Sequence, residues 1–298
     1  MTSSSKSYLF AGFAVLFWST IATAFKLALA EISPGQLLLV ASVTSTLILF
    51  LISLFEGTLK SLRKISYNDI ILSALMGLLN PFIYYLVLLK AYTLLPAQVA
   101  QPLNMIWPIT LVFLSVPMLK QKIATRSFIA LFISFAGVYL IASQGQPLNP
   151  GRSNPVGVLL AAGSSIFWAL YFILNLKNSR DESVKLFMNF FLASIFLAIY
   201  LLLTDGYNGF TIKGVVTSIY VGIFEMGITF FLWLKALRMA KSPDRISNLV
   251  FLAPFFSLVF INSFLGEKIH YTTLIGLIII ISGILYQNYP KSPVTGNR

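Results

Sequence analysis

With 298 residues, 57% of them hydrophobic, 10% charged and a mean hydropathy of +0.85, the chain lies far from the roughly 25% charged content of a water-soluble domain, and a soluble globule is excluded. The absence of cysteine removes disulfides, thiolate metal sites and cysteine nucleophiles, and His270 as the single histidine leaves zinc or triad chemistry without its ligands. At about 20 apolar residues per helical crossing of a bilayer core about 30 Å thick, this length holds about ten crossings and no separate soluble domain.

Uninterrupted apolar runs predict helices at 8–29, 37–55, 69–89, 96–118 and 126–143, then at 156–176, 186–203, 214–234, 243–265 and 272–289. The first run is longer than the core of a signal peptide and no small-residue cleavage site follows it, so it is expected to remain as the first helix. Connections are short, the longest near 56–68 and 144–155. The latter, Gln144-Gly145-Gln146-Pro147-Leu148-Asn149-Pro150-Gly151, is the richest in turn formers and falls almost at mid-chain. It divides the chain into 1–145, a linker at 146–155, and 156–298.

A formal net charge of +12 would suit a nucleic-acid binder if the bases formed a patch. They follow alternate loops instead. With a cytoplasmic N-terminus, the cytoplasmic segments carry Lys6, Lys60, Arg63, Lys64, Lys120, Lys122, Arg126, Lys177, Arg180, Lys185, Lys235, Arg238, Lys241, Arg245, Lys291 and Arg298, against only Lys90, Arg152, Lys213 and Lys268 opposite. By the positive-inside rule the charge reports orientation. Both termini are expected in the cytoplasm, with membrane lipid rather than nucleic acid as the surrounding partner.

The two halves align. Phe17-Trp18 matches Phe167-Trp168 at an offset of 150; Gly77 and Leu89-Lys90-Ala91 match Gly222 and Leu234-Lys235-Ala236 at 145; Pro108 and Gly137 match Pro254 and Gly283 at 146. Five spans per half is an odd number, so the second half enters the membrane from the opposite side. The fold expected is all-α and integral to the membrane, with ten transmembrane helices as two inverted five-helix repeats around a central cavity.

Leu16-Phe17-Trp18-Ser19-Thr20 with Lys26 and Ser33-Pro34 near the start, and Ala253-Pro254, Phe264-Leu265-Gly266-Glu267, Gly276 and Gly283 near the end, resemble the drug/metabolite transporter superfamily with two EamA-type repeats, over nearly the whole chain. Asn104-Met105-Ile106-Trp107-Pro108 and Trp18-Ser19-Thr20 look most like bacterial exporters of aromatic and other amino acids. The resemblance implies a secondary active transporter of the bacterial inner membrane. It would move small amphipathic metabolites, amino acids foremost, out of the cell by alternating access, without cofactor or metal. A carrier of organic cations or other metabolites from the same superfamily is the alternative. An integral-membrane enzyme would need a paired acid and base or a metal cluster at one depth, and no G-x-x-x-x-G-K-S/T motif is present for ATP-driven transport. Two departures leave the substrate open: no arginine in Leu39-Val40-Ala41-Ser42-Val43, and Leu119-Lys120-Gln121 where the second half has Leu265-Gly266-Glu267.

Polar residues within spans are costly in lipid and face a cavity or another helix. Helical spacing gathers Ser164, Trp168, Tyr171 and Asn175 on one stripe of the sixth span, and Ser19, Thr23 and Lys26 on one stripe of the first, with Trp18 and Thr20 beside it. The fourth span offers Gln98, Gln101 and Asn104 with Trp107, the third Asn80 and Tyr84, the eighth Glu225 and Thr229. Each stripe is either a packing surface bonded between helices or a cavity lining that binds substrate. Trp18 and Trp168 lie near the centres of their spans, away from an interfacial belt.

Among nine acids, Glu31, Glu56, Asp69, Asp181, Glu182, Asp205, Asp244 and Glu267 fall in loops or at helix ends, which leaves Glu225 in a span interior opposite its repeat mate Asn80. A carboxyl at that depth is expected to be neutral or paired. A protonatable Glu225 would couple export to proton entry, and an ionised one would bind a substrate ammonium or pair with Lys26; the structural alternative is a protonated side chain hydrogen-bonded to a neighbouring helix. Lys26, about 10 Å from the middle of its helix, either snorkels or pairs with charge or binds a substrate carboxylate. Pro102 and Pro108, with Pro117, and Pro254 with Pro243, fall in corresponding spans as hinges or static kinks. Ala130, Ser134, Gly137, Gly276 and Gly283 are expected to form close-packing surfaces.

Overall fold

In an apolar medium the backbone must satisfy its own hydrogen bonds, and this chain does so with helices. A computed structural model describes residues 3–120, 125–148, 152–176, 178, 180–204, 206–240, 246 and 248–288. Lys122, Lys177, Asp205, Lys241, Pro243, Asp244, Arg245, Lys291 and Arg298 lie outside the described residues. The first half comprises α1 (Ser3–Leu29), α2 (Pro34–Phe55), α3 (Tyr67–Gly77), α4 (Tyr84–Leu94), α5 (Ala97–Asn104), α6 (Trp107–Leu119) and α7 (Thr125–Ala142). The second comprises α8 (Pro155–Leu176), α9 (Glu182–Leu203), α10 (Ile212–Val221), α11 (Ile228–Met239), α12 (Ala253–Leu265) and α13 (Tyr271–Asn288). Seven helices among the described residues are long and apolar enough to cross a bilayer, and Ser127–Ala142, Leu249–Leu265 and Tyr271–Gln287 are shorter apolar helices.

Helix starts precede the apolar runs because polar caps set them. Ser33 accepts the Gln36 N–H while the Gln36 side chain accepts the Ser33 N–H, and Pro34 fills the first turn, where its missing N–H is harmless. Ser66 with Asp69 builds the same box before α3, and Thr211 caps α10. At the other end, α4 and α11 run on past Lys90 and Lys235, where hydropathy falls although helix propensity does not.

Four predicted spans are not single regular helices. The third and eighth carry π-helical segments at matching places, Leu78–Ile83 between α3 and α4 and Gly222–Gly227 between α10 and α11. Asn80 has extended dihedrals (φ −148°, ψ 119°), and Pro81 after it has no N–H to give. The fourth span breaks at Met105 and Ile106 between α5 and α6, with Pro108 in the first turn of α6; in the ninth, a 3-10 segment at Asn248–Leu252 leads into α12, with Pro254 in its first turn. Pro102 lies inside α5.

The halves interlock. The first helix of each lies against the third and fourth spans of the other: α1 packs on α10, α11 and α12, and α8 on α4, α5 and α6. α2 runs along α9, and α7 along α13. Lipid tails are as apolar as leucine, so no hydrophobic force drives one membrane helix onto another, and close approach depends on small side chains. On α1 the buried face carries Ala11, Ala14, Ala22 and Ala28 beside the larger Val15, Ile21 and Phe25, whereas Tyr8, Leu9, Phe13 and Leu16 are exposed. Gly137 and Gly276 meet so closely that a Cβ on either would stand 2.6 Å from the other's carbonyl oxygen, and Gly283 abuts Ala130 and Ser134. The small residues of the fifth and tenth predicted spans therefore face one another across a single crossing.

Candidate functional site

Where the first helix of one half meets the third and fourth predicted spans of the other, a group of aromatic residues gathers. The Trp168 ring lies 5.2 Å from Tyr84, 5.9 Å from Phe230, 6.2 Å from Tyr171 and 6.4 Å from Trp107. Phe230 continues the series to Trp18 at 6.0 Å, and Trp18 to Trp233 at 5.3 Å. Edge-on and tilted pairs at such spacings suit the ring quadrupole. Trp18, Trp107 and Trp168 remain half-buried.

A polar network borders the rings. The Tyr84 hydroxyl donates to Asn104 Oδ1 (3.2 Å), Asn104 Nδ2 donates to Ser164 Oγ (2.7 Å), and Ser164 donates to the Ala161 carbonyl (2.6 Å). Tyr85, stacked edge-on against Tyr84 at 4.7 Å, donates to Glu225 Oε1 at 2.8 Å. Asn189 Nδ2 donates to the Tyr171 hydroxyl at 3.4 Å. Glu225 and Asn80 both occupy π-helical segments, and the Oδ1 atoms of Asn80 and Asn189 and Oε1 of Gln101 are buried without a hydrogen-bond partner. Such orphan acceptors are each worth about 1–3 kcal/mol to whatever donor satisfies them. Among the described residues no three His, Asp or Glu side chains converge as a metal site.

Trp18, Tyr84, Asn104, Trp107, Ser164, Trp168 and Tyr171 are thus joined in one cluster, with Glu225 attached through Tyr85. Other expected residues have different partners. Ser19 donates to Val15 O and Thr229 to Phe224 O within their own helices, and Thr23 Oγ1 is buried without a partner. Gln98 is taken up by backbone groups: its Nε2 donates to Lys268 O (2.8 Å), and its Oε1 accepts from His270 N (3.0 Å) and from the Thr273 hydroxyl. Asn175 donates to Glu182 at the far end of α8. Lys26 does not meet Glu225. Its ammonium donates to Tyr92 O (2.9 Å) and Leu95 O (3.1 Å), closing the C-terminus of α4. One turn of chain later, the Glu267 carboxylate accepts from Ala97 N (2.8 Å) and Gln98 N (3.1 Å) at the N-terminus of α5. Charge complements both helix dipoles there.

At the same end of the bundle Lys213 donates to Glu31 at 2.9 Å, and that hydrogen bond, with the ammonium charge, holds the Glu31 carboxyl below its ordinary range. At the opposite end Arg180 reaches Asp69 (3.6 Å) and Ser73 (3.0 Å), and Lys185 pairs with Glu182 (2.8 Å).

Tyr85, Asn189, Phe230 and Trp233 are members of the cluster that sequence reasoning passes over. Asn189 carried a usable signal, an amide inside the predicted span 186–203. Tyr85 and Phe230 carried none, since aromatic residues are equally at home against lipid.

Comparison with known proteins agrees with this architecture. Residues 5–143 and 155–289 each match the model of the EamA-like transporter family. An uncharacterized transporter of Clostridium kluyveri is 25% identical over 298 residues, covering 96% of this chain and 94% of its own. Protein PecM of Dickeya dadantii is 23% identical over 215 residues, 70% of this chain and 71% of that one. A solved crystal structure shares the fold, with a TM-score of 0.66 at 18% identity over 96% of this chain and 97% of that chain.

Proposed function

The chain belongs to the EamA-like transporter family, within the drug/metabolite transporter superfamily, and from that premise we propose that it exports small amphipathic metabolites, amino acids foremost, by secondary active transport. The observation that carries the reading is the cluster around Trp168, where half-buried aromatic rings stand beside Asn104 and the Tyr85–Glu225 pair at the junction of the interlocked halves. Rings can receive an apolar side chain or a cation, and amides and a carboxylate can hold the polar end.

The proposed arrangement has ten crossings in two inverted halves, 1–145 and 156–298, joined by 146–155, with both termini cytoplasmic in a bacterial inner membrane. Reciprocal packing of α1 and α8 supports it, as does the one-sided placement of the basic residues. Alternating access would have the halves exchange roles, with the paired π segments, Pro102, Pro108 and Pro254 as the places where the helices flex.

Orientation is checked by single-cysteine labelling, for which the cysteine-free chain needs no background removed. Ser153 is buried and bonded to Ala142 O, whereas Leu148 is 99% exposed. Leu148→Cys should react with an impermeant maleimide added to whole cells, and labelling only after the membrane is opened would overturn the topology.

Transport is checked by uptake into proteoliposomes across amino acids and organic cations, with and without a proton gradient. Trp168→Ala removes the ring that joins Tyr84, Trp107, Tyr171 and Phe230, and aromatic pairs of this kind contribute about 0.5–1.5 kcal/mol each. Transport should fall at least tenfold at normal expression. Parental rates in Trp168→Ala and Asn104→Ala would make the cluster a packing surface.

A further inference from the structure

Away from the Trp168 cluster, α2, α9 and α11 part to leave a cleft of about 290 Å³ at the end of the bundle that holds Arg180 and Lys185. Its apolar wall includes Leu49, Ile52 and Phe231, and its charged groups include Glu56, Asp181 and Lys235. Helical spacing explains the arrangement. Leu49 and Ile52 on α2 and Glu56 at its C-cap recur at i, i+3 and i+7, and Phe231 and Lys235 at i and i+4 on α11, so each helix gives an apolar residue toward the membrane and a charge toward its end. The volume is at the lower end of small-molecule sites.

The charged groups of the lining differ in how they are engaged. Glu182, also in the wall, is engaged by Lys185 and Asn175. The side chains of Glu56, Asp181 and Lys235 are exposed and take part in none of the ion pairs or hydrogen bonds formed among the described residues. The Lys235 ammonium lies 5.5 Å from the Phe10 ring and 5.2 Å from the Phe231 ring, contacts that steady the side chain and leave its N–H donors available. Two carboxylates and one ammonium therefore border an apolar wall. A simple organic cation would leave Lys235 unmatched, an anion would meet two carboxylates, and a neutral amphipath would match none of the three. A zwitterion with an apolar side chain matches all of them.

We infer that this cleft is a second, loading site for zwitterionic amphipaths, in which Glu56 and Asp181 hold the ammonium, Lys235 holds the carboxylate, and Leu49, Ile52 and Phe231 receive the apolar part. The inference rests on the carrier reading for its role and on the proposed topology for placing the cleft on the cytoplasmic side. Phe231 follows Phe230, which joins Trp18 to Trp168, so consecutive rings of α11 face the cleft and the cluster. Between Lys235 and Glu225 the helix rises about 15 Å, a short path from loading to the mid-membrane site.

The test is equilibrium binding of radiolabelled phenylalanine, and of phenylalanine amide, to the full chain in nanodiscs. Parent protein should bind phenylalanine at two sites. Lys235→Gln should weaken one of them about tenfold while leaving the amide, which lacks the carboxylate, bound as before, and this retained binding shows that the variant is folded. Glu56→Gln with Asp181→Asn should weaken both ligands at that site. Trp168→Ala should remove only the other site. A single site lost in Trp168→Ala and indifferent to the three cleft substitutions, or no phenylalanine binding at all, overturns the inference. Two-site binding without transport of any probe would sink the carrier reading and leave the cleft site standing.

Discussion

Proteoliposomes carrying Glu225→Gln are expected to exchange substrate across the membrane but to lose all acceleration by a proton gradient. Glu225 sits in the π-helical middle of the eighth predicted span and accepts from the Tyr85 hydroxyl at 2.8 Å. An ionised side chain near the bilayer centre costs about 2.5–3.5 kcal/mol on insertion scales, and the described residues provide it with a neutral phenol rather than a cation. Protonation removes that cost, and loss of the proton restores it, so the two faces of an alternating-access cycle can hold Glu225 in different protonation states. Glutamine keeps the size and the oxygen that accepts from Tyr85 and eliminates titration. A gradient of one pH unit supplies about tenfold accumulation per coupled proton, which the parent should show and the variant should not. Full gradient-driven accumulation by Glu225→Gln would reduce this residue to a hydrogen-bonded strut.

The second large effect is on assembly. Gly276→Val should fail to give a monodisperse, thermally stable protein in detergent, because the first added carbon would stand 2.6 Å from the Gly137 carbonyl and 2.7 Å from the Ile141 side chain. The backbone oxygen cannot yield without moving α7 from α13, and overpacking of this kind costs about 1–3 kcal/mol or more. Gly163→Ala, on α8 with nothing within 4 Å of the new Cβ, is the matched control and should melt within a degree or two of the parent. Equal melting of both variants would mean that α7 and α13 are not held by this contact.

How much of this was legible beforehand depends on the distance over which each feature is decided. Apolar runs at 8–29, 37–55 and 156–176 end within a few residues of α1, α2 and α8, because membrane helices are selected by transfer free energy, which is summed locally along the chain. The same holds for the glycines of the fifth and tenth predicted spans, since a missing side chain is visible in sequence before its neighbour is known. The breaks in the third and eighth spans are not local in this way. Asn80-Pro81 announces one of them, whereas Gly222–Gly227, although it carries Glu225, has no proline to mark a break.

The chain's composition, its alternating basic loops and its matching halves by themselves determined that it is a helical membrane protein built from repeats. Only the tertiary structure decided which polar groups meet. Glu225 is bonded to Tyr85, 140 residues away, rather than to Lys26, and Gln98 to a loop 170 residues away rather than to an open chamber. Hydropathy weighs each residue against lipid, but a hydrogen bond between distant helices exists only once α1 and α8 have threaded into the opposite halves, and that interlocking is set by side-chain shape across interfaces which no single segment contains.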